Sequence, residues 1–160
     1  MKVIMHDLTD EQWKRLGIKT TPEDIVVGNT GEANFCIGCF GCWLKTPGRC
    51  VIRDSYQQMG EHLSRADELM IVSRCSFGSY SADVKNILDR SISYVSPFFE
   101  IRRGEMHHRA RYQNKLTLTA LFYGDDITEA EKETARALVQ ANATNLNGRL
   151  GSITFREDSL

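Results

Sequence analysis

The chain is poor in the residues that interrupt a polypeptide. It has only three prolines in 160 residues, and no Gly/Ser/Pro-rich tract, internal repeat or low-complexity run that would mark a linker. A single domain over residues 1–160 is therefore expected, long enough to bury about two thirds of its unfolded surface. No run of 18 apolar residues occurs, so no membrane-spanning helix is expected. The opening "MKVIMHDLTDEQ" meets acidic residues within seven positions, too soon for a signal-peptide apolar segment, and the expected location is cytoplasmic. Charge of one sign is lacking too: 20 Lys plus Arg stand against 21 Asp plus Glu, a net of -1. That balance gives no basic excess for nucleic acid and no polybasic signal for a membrane, which leaves small molecules or other protein chains as partners.

What is present is an alternation of short apolar runs and helical patterns. "KVIMHDL" (2–8), "DIVVGN" (24–29), "ELMIVSR" (68–74), "KLTLTALFYG" (115–124) and "RLGSITF" (149–155) read as strands, rich in β-branched residues or continuously apolar. Between them lie four helical segments. Thr9 and Gln12 have capping-box spacing ahead of a two-turn helix with Gly17 as its stop, and Asp54 is placed to cap a helix carrying Tyr56, Met59, Leu63 and Ala66 on one face. "SADVKNILDRSISYV" sets Val84, Ile87, Leu88, Ile92 and Val95 at helical spacing, and Thr128 with Glu131 opens a last helix that ends near Gly148. Five strands alternating with four helices predict a parallel sheet covered by helices on both faces, because right-handed crossovers leave few other topologies. Ligands in such sheets sit beyond the carboxyl ends of the strands. Residues 96–114 read as one longer polar insertion.

The cysteines are not spread evenly. Cys36, Cys39, Cys42 and Cys50 fall within "CIGCFGCWLKTPGRC" at spacing C-x2-C-x2-C-x7-C, with Gly38, Gly41 and Gly48 between them. Two-residue gaps let successive thiolates converge on an iron-sulfur cluster or a zinc ion, and the glycines supply the backbone freedom a tight ligand loop needs. In a reducing compartment such clustering points to metal binding or redox chemistry in preference to disulfides, and a total of five pairs poorly. The alternative is a turn lined by small, half-buried side chains.

"CIGCFGCW", "GRCVIRDSYQQM" and the following "RADELMIVSRCSFGSYSADVKNILDRS" together resemble the NAD(P)H-dependent FMN reductase family of the flavodoxin-like fold, particularly its iron-sulfur flavoprotein branch. Ala66, Asp67, Ser81, Lys85, Asp89 and Arg90 stand in register with that family's motif. The resemblance implies a three-layer α/β/α sandwich with five parallel strands in the order 2-1-3-4-5. It further implies FMN as cofactor, NAD(P)H as electron donor, a small-molecule or protein acceptor, and a [4Fe-4S] cluster on Cys36, Cys39, Cys42 and Cys50 in the iron-sulfur branch. It also implies a homodimer or homotetramer, for which "SISYVSPFFEI" offers surplus apolar surface. The candidate flavin contacts are Ser76, Phe77, Gly78, Ser79, Tyr80 and Ser81, with Phe77 or Tyr80 stacking on the ring, and Tyr123 and Gly124 as a further wall. No acid-base residue is singled out.

Three departures accompany the resemblance. The family's phosphate loop after the first strand is replaced by "HDLTDEQW", where Asp7, Asp10 and Glu11 oppose a dianion and Thr9 is the sole hydroxyl. "GNT" at 28–30 looks like part of such a loop but opens no helix, and reads as a strand end. The family's Pro and Tyr in the second loop are replaced by Arg74 and Ser76, beside Cys75. A basic cluster of Arg102, Arg103, Arg109 and Arg111 with His107 and His108 is either a second place for a phosphate or a solvated loop. His6 and His62 read as structural or surface residues. Three functions stay open: an FMN oxidoreductase, the same with a cluster, and a flavin-free metal-binding or protein-interaction module.

Overall fold

The computed structural model describes residues 1–28, 31 and 33–157, so the last two residues of "GNT" lie outside the described residues. The elements run β1 (Lys2–His6), α1 (Asp10–Leu16), β2 (Ile25–Val27), α2 (Gly41–Leu44), α3 (Met59–Arg65), β3 (Glu68–Arg74) and α4 (Ala82–Arg90). After a 3-10 turn at Ile92–Tyr94 come β4 (Val95–Arg102), β5 (Glu105–Ala110), β6 (Thr117–Tyr123), α5 (Glu129–Asn145) and β7 (Arg149–Arg156). Five strands form one sheet in the order β2-β1-β3-β6-β7, every pairing parallel. This is the expected 2-1-3-4-5 order, renumbered by two interposed strands.

Side-chain alternation along the strands divides the core in two. Val3, Met5, Leu69, Ile71, Leu118, Ala120 and Phe122 face Met59 and Leu63 of α3, Val84 and Ile87 of α4, and Ala135, Val139 and Ala143 of α5. Their neighbours Ile4, Val72 and Tyr123 point to the opposite face, where Leu8 joins them with Trp13 and Leu16 of α1 packed alongside. The three layers are thus unequal: three helices cover one face and the seven-residue α1 covers part of the other. Beyond α1 that second face is finished with polar groups. Thr119 Oγ1 donates to Glu68 Oε1 at 2.9 Å and Arg149 Nε donates to Thr117 Oγ1 at 2.9 Å, which suits strands that meet solvent.

The polar insertion is corrected by the structure. Residues 95–110 form an antiparallel hairpin with a register irregularity between Val95 and Phe99 and a left-handed turn at Arg103 and Gly104. Phe98, Phe99, Ile101 and Met106 stand exposed on it. Charged residues hid the strand alternation there. Two helix expectations are corrected as well. The pattern read through residues 81–95 stops at Arg90, where Ser91 Oγ donates to Ile87 O at 2.7 Å and ends the helix before the 3-10 turn. Asp54 does not cap α3, whose N-cap is Gln58; its carboxylate accepts from the Tyr56 amide in the turn ahead and is held by Arg90.

Candidate functional site

The cysteine loop leaves β2, crosses the last turn of α4, and returns to α3. Gly38 (φ 64°), Phe40 (φ 56°) and Gly48 (φ 89°) all adopt left-handed backbone, which allows the chain to reverse around the short α2. Two glycines are required by space as well: a Cβ on Gly41 would stand 2.6 Å from Val51 Cγ1, and one on Gly48 would stand 2.5 Å from the Tyr112 hydroxyl. Trp43 anchors the loop to the hairpin by donating from Nε1 to Val95 O at 3.1 Å, and its ring lies between those of Phe40 (5.5 Å) and His108 (5.0 Å).

Both ends of the loop converge on one buried ion pair. The Arg90 guanidinium grips the Asp54 carboxylate with two bonds, 2.6 Å to Oδ1 and 2.8 Å to Oδ2, and also donates to Asn34 O at 2.6 Å and Ile52 O at 3.4 Å. Asp54 accepts further from the amides of Asn34 and Tyr56, each at 3.0 Å. The side chains of Arg90 and Asp54 are 0% and 7% exposed. Asn34 precedes the first loop cysteine and Asp54 follows the last, so this pair closes the loop onto α4. The Arg90 hydrogen bond holds the Asp54 carboxyl down at about 2, against the opposing pull of burial. In the sequence Arg90 reads only as a motif residue and Asp54 only as a cap; the pairing bridges 36 positions and no local pattern reveals it.

The result is a cavity of about 470 Å³ lined by all four loop cysteines, together with Phe40, Trp43, Leu88, Arg90, Asn142 and Leu146 among others. All four thiols are free; Cys36 and Cys39 are exposed, Cys42 is half-buried and Cys50 is buried. Burial first, then the nearby thiols of Cys50, Cys36 and Cys39, push the Cys42 thiol above its ordinary range. Among the described residues no three His, Cys, Asp or Glu side chains are close enough to hold a single metal ion. A cuboidal [4Fe-4S] cluster makes a different demand, one thiolate on each of four irons around a larger core. Free thiols spread round one cavity fit that demand better than they fit a mononuclear zinc site.

The strand-end loop lies at the other end of the nine-residue α4 from Arg90. Residues 76–79 fold back as a tight turn, with Ser76 bridged to Ser79 and left-handed Phe77 (φ 52°) and Gly78 (φ 76°) between them. Phe77 projects at the tip, 93% exposed. Tyr80 turns inward instead: it is 4% exposed, its ring stacks on Phe122 at 5.4 Å, its hydroxyl accepts from Asn142 Nδ2 at 3.3 Å, and burial pushes its pKa up to about 12. Of the two rings expected to stack on a flavin, Phe77 stands free and Tyr80 is committed to the core. Ser81 caps α4 through Val84, and its amide donates to Ser73 Oγ at 2.9 Å.

Tyr123 meets the first loop, while the Gly124 amide donates to Arg156 O at the end of β7 at 3.1 Å. The Tyr123 hydroxyl donates to Asp7 Oδ1 at 3.1 Å, and the Arg74 amide donates to Asp7 Oδ2 at 3.0 Å and Oδ1 at 3.3 Å. Burial, with the Asp7 charge beside it, raises the Tyr123 pKa well above the ordinary phenol value. At α1, Thr9 Oγ1 accepts from the Gln12 amide at 3.3 Å while Gln12 Oε1 accepts from the Thr9 amide at 2.8 Å, so the helix caps itself. The phosphate of FMN does not fit this corner: a carboxylate occupies the strand ends, and the helix start is acidic.

Elsewhere, Cys75 is half-buried, and burial pushes its thiol up. The basic cluster is largely consumed locally. Arg102 donates to Thr144 O at 3.1 Å and pairs with Glu100, Arg111 Nε donates to Ser93 O at 3.0 Å, and His107 and His108 bond to Asn145 Oδ1 and Ser96 O. His6 accepts from the Leu8 amide at 3.1 Å against the Trp13 ring, and burial lowers the pKa of both His6 and His62.

A doubly wound sheet in this strand order, with a four-cysteine loop joining its second strand to its third, defines the class: an α/β domain of flavodoxin-like topology carrying a thiol-lined cavity. No protein-family model matches the chain. An iron-sulfur flavoprotein of Methanocaldococcus jannaschii is 38% identical over 60 residues, covering 38% of this chain and 30% of that protein. The match thus spans less than a third of the curated relative's length. A solved structure of a thermophilic tryptophan halogenase from Streptomycin violaceusniger aligns over 100% of this chain and 88% of its own at TM-score 0.56 and 9% identity, which shows a shared fold. A flavodiiron core from Synechocystis covers 97% of this chain and 30% of its own at TM-score 0.44 and 8% identity, too distant to support an argument. No helix among the described residues is long and apolar enough to cross a membrane.

Proposed function

We propose that the chain is an electron-transfer oxidoreductase of the iron-sulfur flavoprotein kind. In this reading Cys36, Cys39, Cys42 and Cys50 hold a [4Fe-4S] cluster, and a flavin that takes electrons from NAD(P)H docks at the strand-end loop against Phe77 and the backbone of residues 76–79. The observation that carries it is the sharing of one cavity by all four cysteines; the relative named an iron-sulfur flavoprotein supports it. A bound cluster supplies one-electron relay beside the two-electron chemistry of a flavin. The chain's own residues present thiolates, screen them with Phe40, Trp43 and Leu146, and brace the loop through Arg90 and Asp54, with Arg90 also facing Cys50. No step is assigned to FMN, whose phosphate the first loop opposes.

The acceptor is a small molecule or another protein, and the working form is a homodimer or homotetramer. Among the described residues, eight of the twelve large apolar side chains left exposed belong to the cysteine loop at 36–50, the 3-10 turn and the hairpin, surplus apolar surface of the kind a subunit contact covers.

Anaerobic purification with iron, sulfide and zinc analysis tests the reading. About four irons and four sulfides per chain with broad absorption near ~400 nm are expected, and Cys39→Ser or Cys42→Ser should abolish both. A colourless protein that takes up neither iron-sulfide nor any flavin would instead indicate a flavin-free interaction module, the alternative favoured by the filled strand-end corner. One zinc per chain with no iron would replace the cluster by a structural metal.

A further inference from the structure

The Arg90 guanidinium is not fully used by the loop it closes. Nη1 donates to Asn34 O and Asp54, and Nη2 donates to Asp54 with a long 3.4 Å reach to Ile52 O. Nε is buried and donates to nothing. Of the five buried side-chain nitrogen and oxygen atoms without a hydrogen-bond partner among the described residues, it alone belongs to a residue lining the cysteine cavity. Cys50, the one buried thiol of the four loop cysteines, lines the same cavity and lies within hydrogen-bonding reach of the Arg90 side chain. A thiol sulfur is a weak acceptor, whereas a thiolate accepts a charge-assisted bond and satisfies a donor that burial has cut off from water. Apart from the thiols, few charges face the cavity: Asp54 neutralises the guanidinium, Asp89 is exposed, and α5 contributes Asn142, Asn145 and Leu146. What Arg90 presents to Cys50 is therefore a directed N–H dipole rather than a net positive charge.

We propose that Arg90 Nε is the donor held for Cys50 in its ligated, thiolate form, so that Arg90 is a positioning residue that both closes the loop and raises the reduction potential of a cluster bound there. This rests on the cluster reading above and deepens it. One-electron reduction, by a flavin or by dithionite, adds one negative charge and breaks no bond, and a donor on a ligand sulfur favours that more negative state. Cys36 and Cys39 are exposed and have water for the same purpose; Cys50 is buried and has Arg90.

The bond can be tested without altering the protein, in the full chain purified anaerobically after growth on arginine labelled with nitrogen-15, reduced with dithionite and measured by pulsed electron paramagnetic resonance. Arg90 is the sole arginine among the lining residues, so a nitrogen-15 coupling to the reduced cluster is expected, and Arg90→Lys should abolish it. In a potentiometric titration Arg90→Lys should lower the reduced-to-oxidised ratio at a fixed potential about tenfold, equivalent to about 59 mV for one electron. Asp54→Asn keeps an acceptor for the guanidinium but removes its counter-charge, and should shift the potential the opposite way. A merely structural brace would change iron content and the urea midpoint without either signature. A cluster that shows no nitrogen-15 coupling in the unaltered chain overturns the inference and leaves the cluster reading standing, whether or not Arg90→Lys folds. Equal potentials in the parent and Arg90→Lys overturn it as well. Absence of iron and sulfide from the anaerobically purified chain overturns the two together.

Discussion

The two ends of α4 show opposite solutions to one problem. At its C-terminus the chain spends a buried ion pair to hold a fifteen-residue loop away from the helix bodies, and a cavity of about 470 Å³ remains between them. At its N-terminus the loops after β1, β3 and β6 close on one another through Asp7, Tyr123 and Tyr80, filling the rim where sheets of this order hold ligands. A fold places backbone at a site. Whether room is left there depends on which side chains the chain commits to itself.

Breaking the ion pair should separate the two regions most sharply. Asp54→Ala leaves Arg90 buried without its counter-charge and should cost about 3–5 kcal/mol in urea unfolding, with loss of any metal held by the loop. The same pair predicts an acid limb. Because the folded carboxyl titrates at about 2 against 3.8 for the free group, its contribution is fully present above 3.8 and is lost as pH falls through about 2. Urea midpoints measured from pH 5 to about 2 should therefore fall less steeply in Asp54→Asn than in the parent.

A smaller effect is expected at the filled end. Gly78 has φ 76°, and a Cβ there would stand 2.7 Å from Thr134 Cβ and 2.8 Å from Glu131 O, so Gly78→Ala should destabilise by about 1–3 kcal/mol. Calorimetry should show that loss while iron content, if present, is unchanged. Least disturbing to the monomer is the hairpin. Phe98→Ser with Ile101→Ser removes exposed apolar surface and should shift stability by only about 0.5 kcal/mol, yet light scattering should show the oligomer dissociating. An unchanged mass would remove the hairpin from the interface.

Much of the sheet was legible because its signals are local. Apolar runs mark β1, β3 and β6, and the capping boxes at Thr9/Gln12 and Thr128/Glu131 are both formed as their spacing suggests. The hairpin was not legible, since its exposed strands mix charge with apolar residues and never bury a whole face. At the sites, spacing brought the four cysteines into view, and like charges drew notice to Asp7. Neither signal reveals that Tyr80 turns into the core or that Asp54 pairs with Arg90.

The amino-acid order by itself determined the parallel layout, the helix starts and the clustering of thiols, because strand alternation, capping and short ligand spacings act over a few residues. Only the tertiary structure decided which loop stays open. Arg90 meets Asp54 across 36 positions and Tyr123 meets Asp7 across 116, and contacts of that span exist only once the sheet has brought their strands and helices together. Buried polar groups must find partners wherever folding leaves them, and those distant pairings set the cavity at one end of α4 and the closed rim at the other.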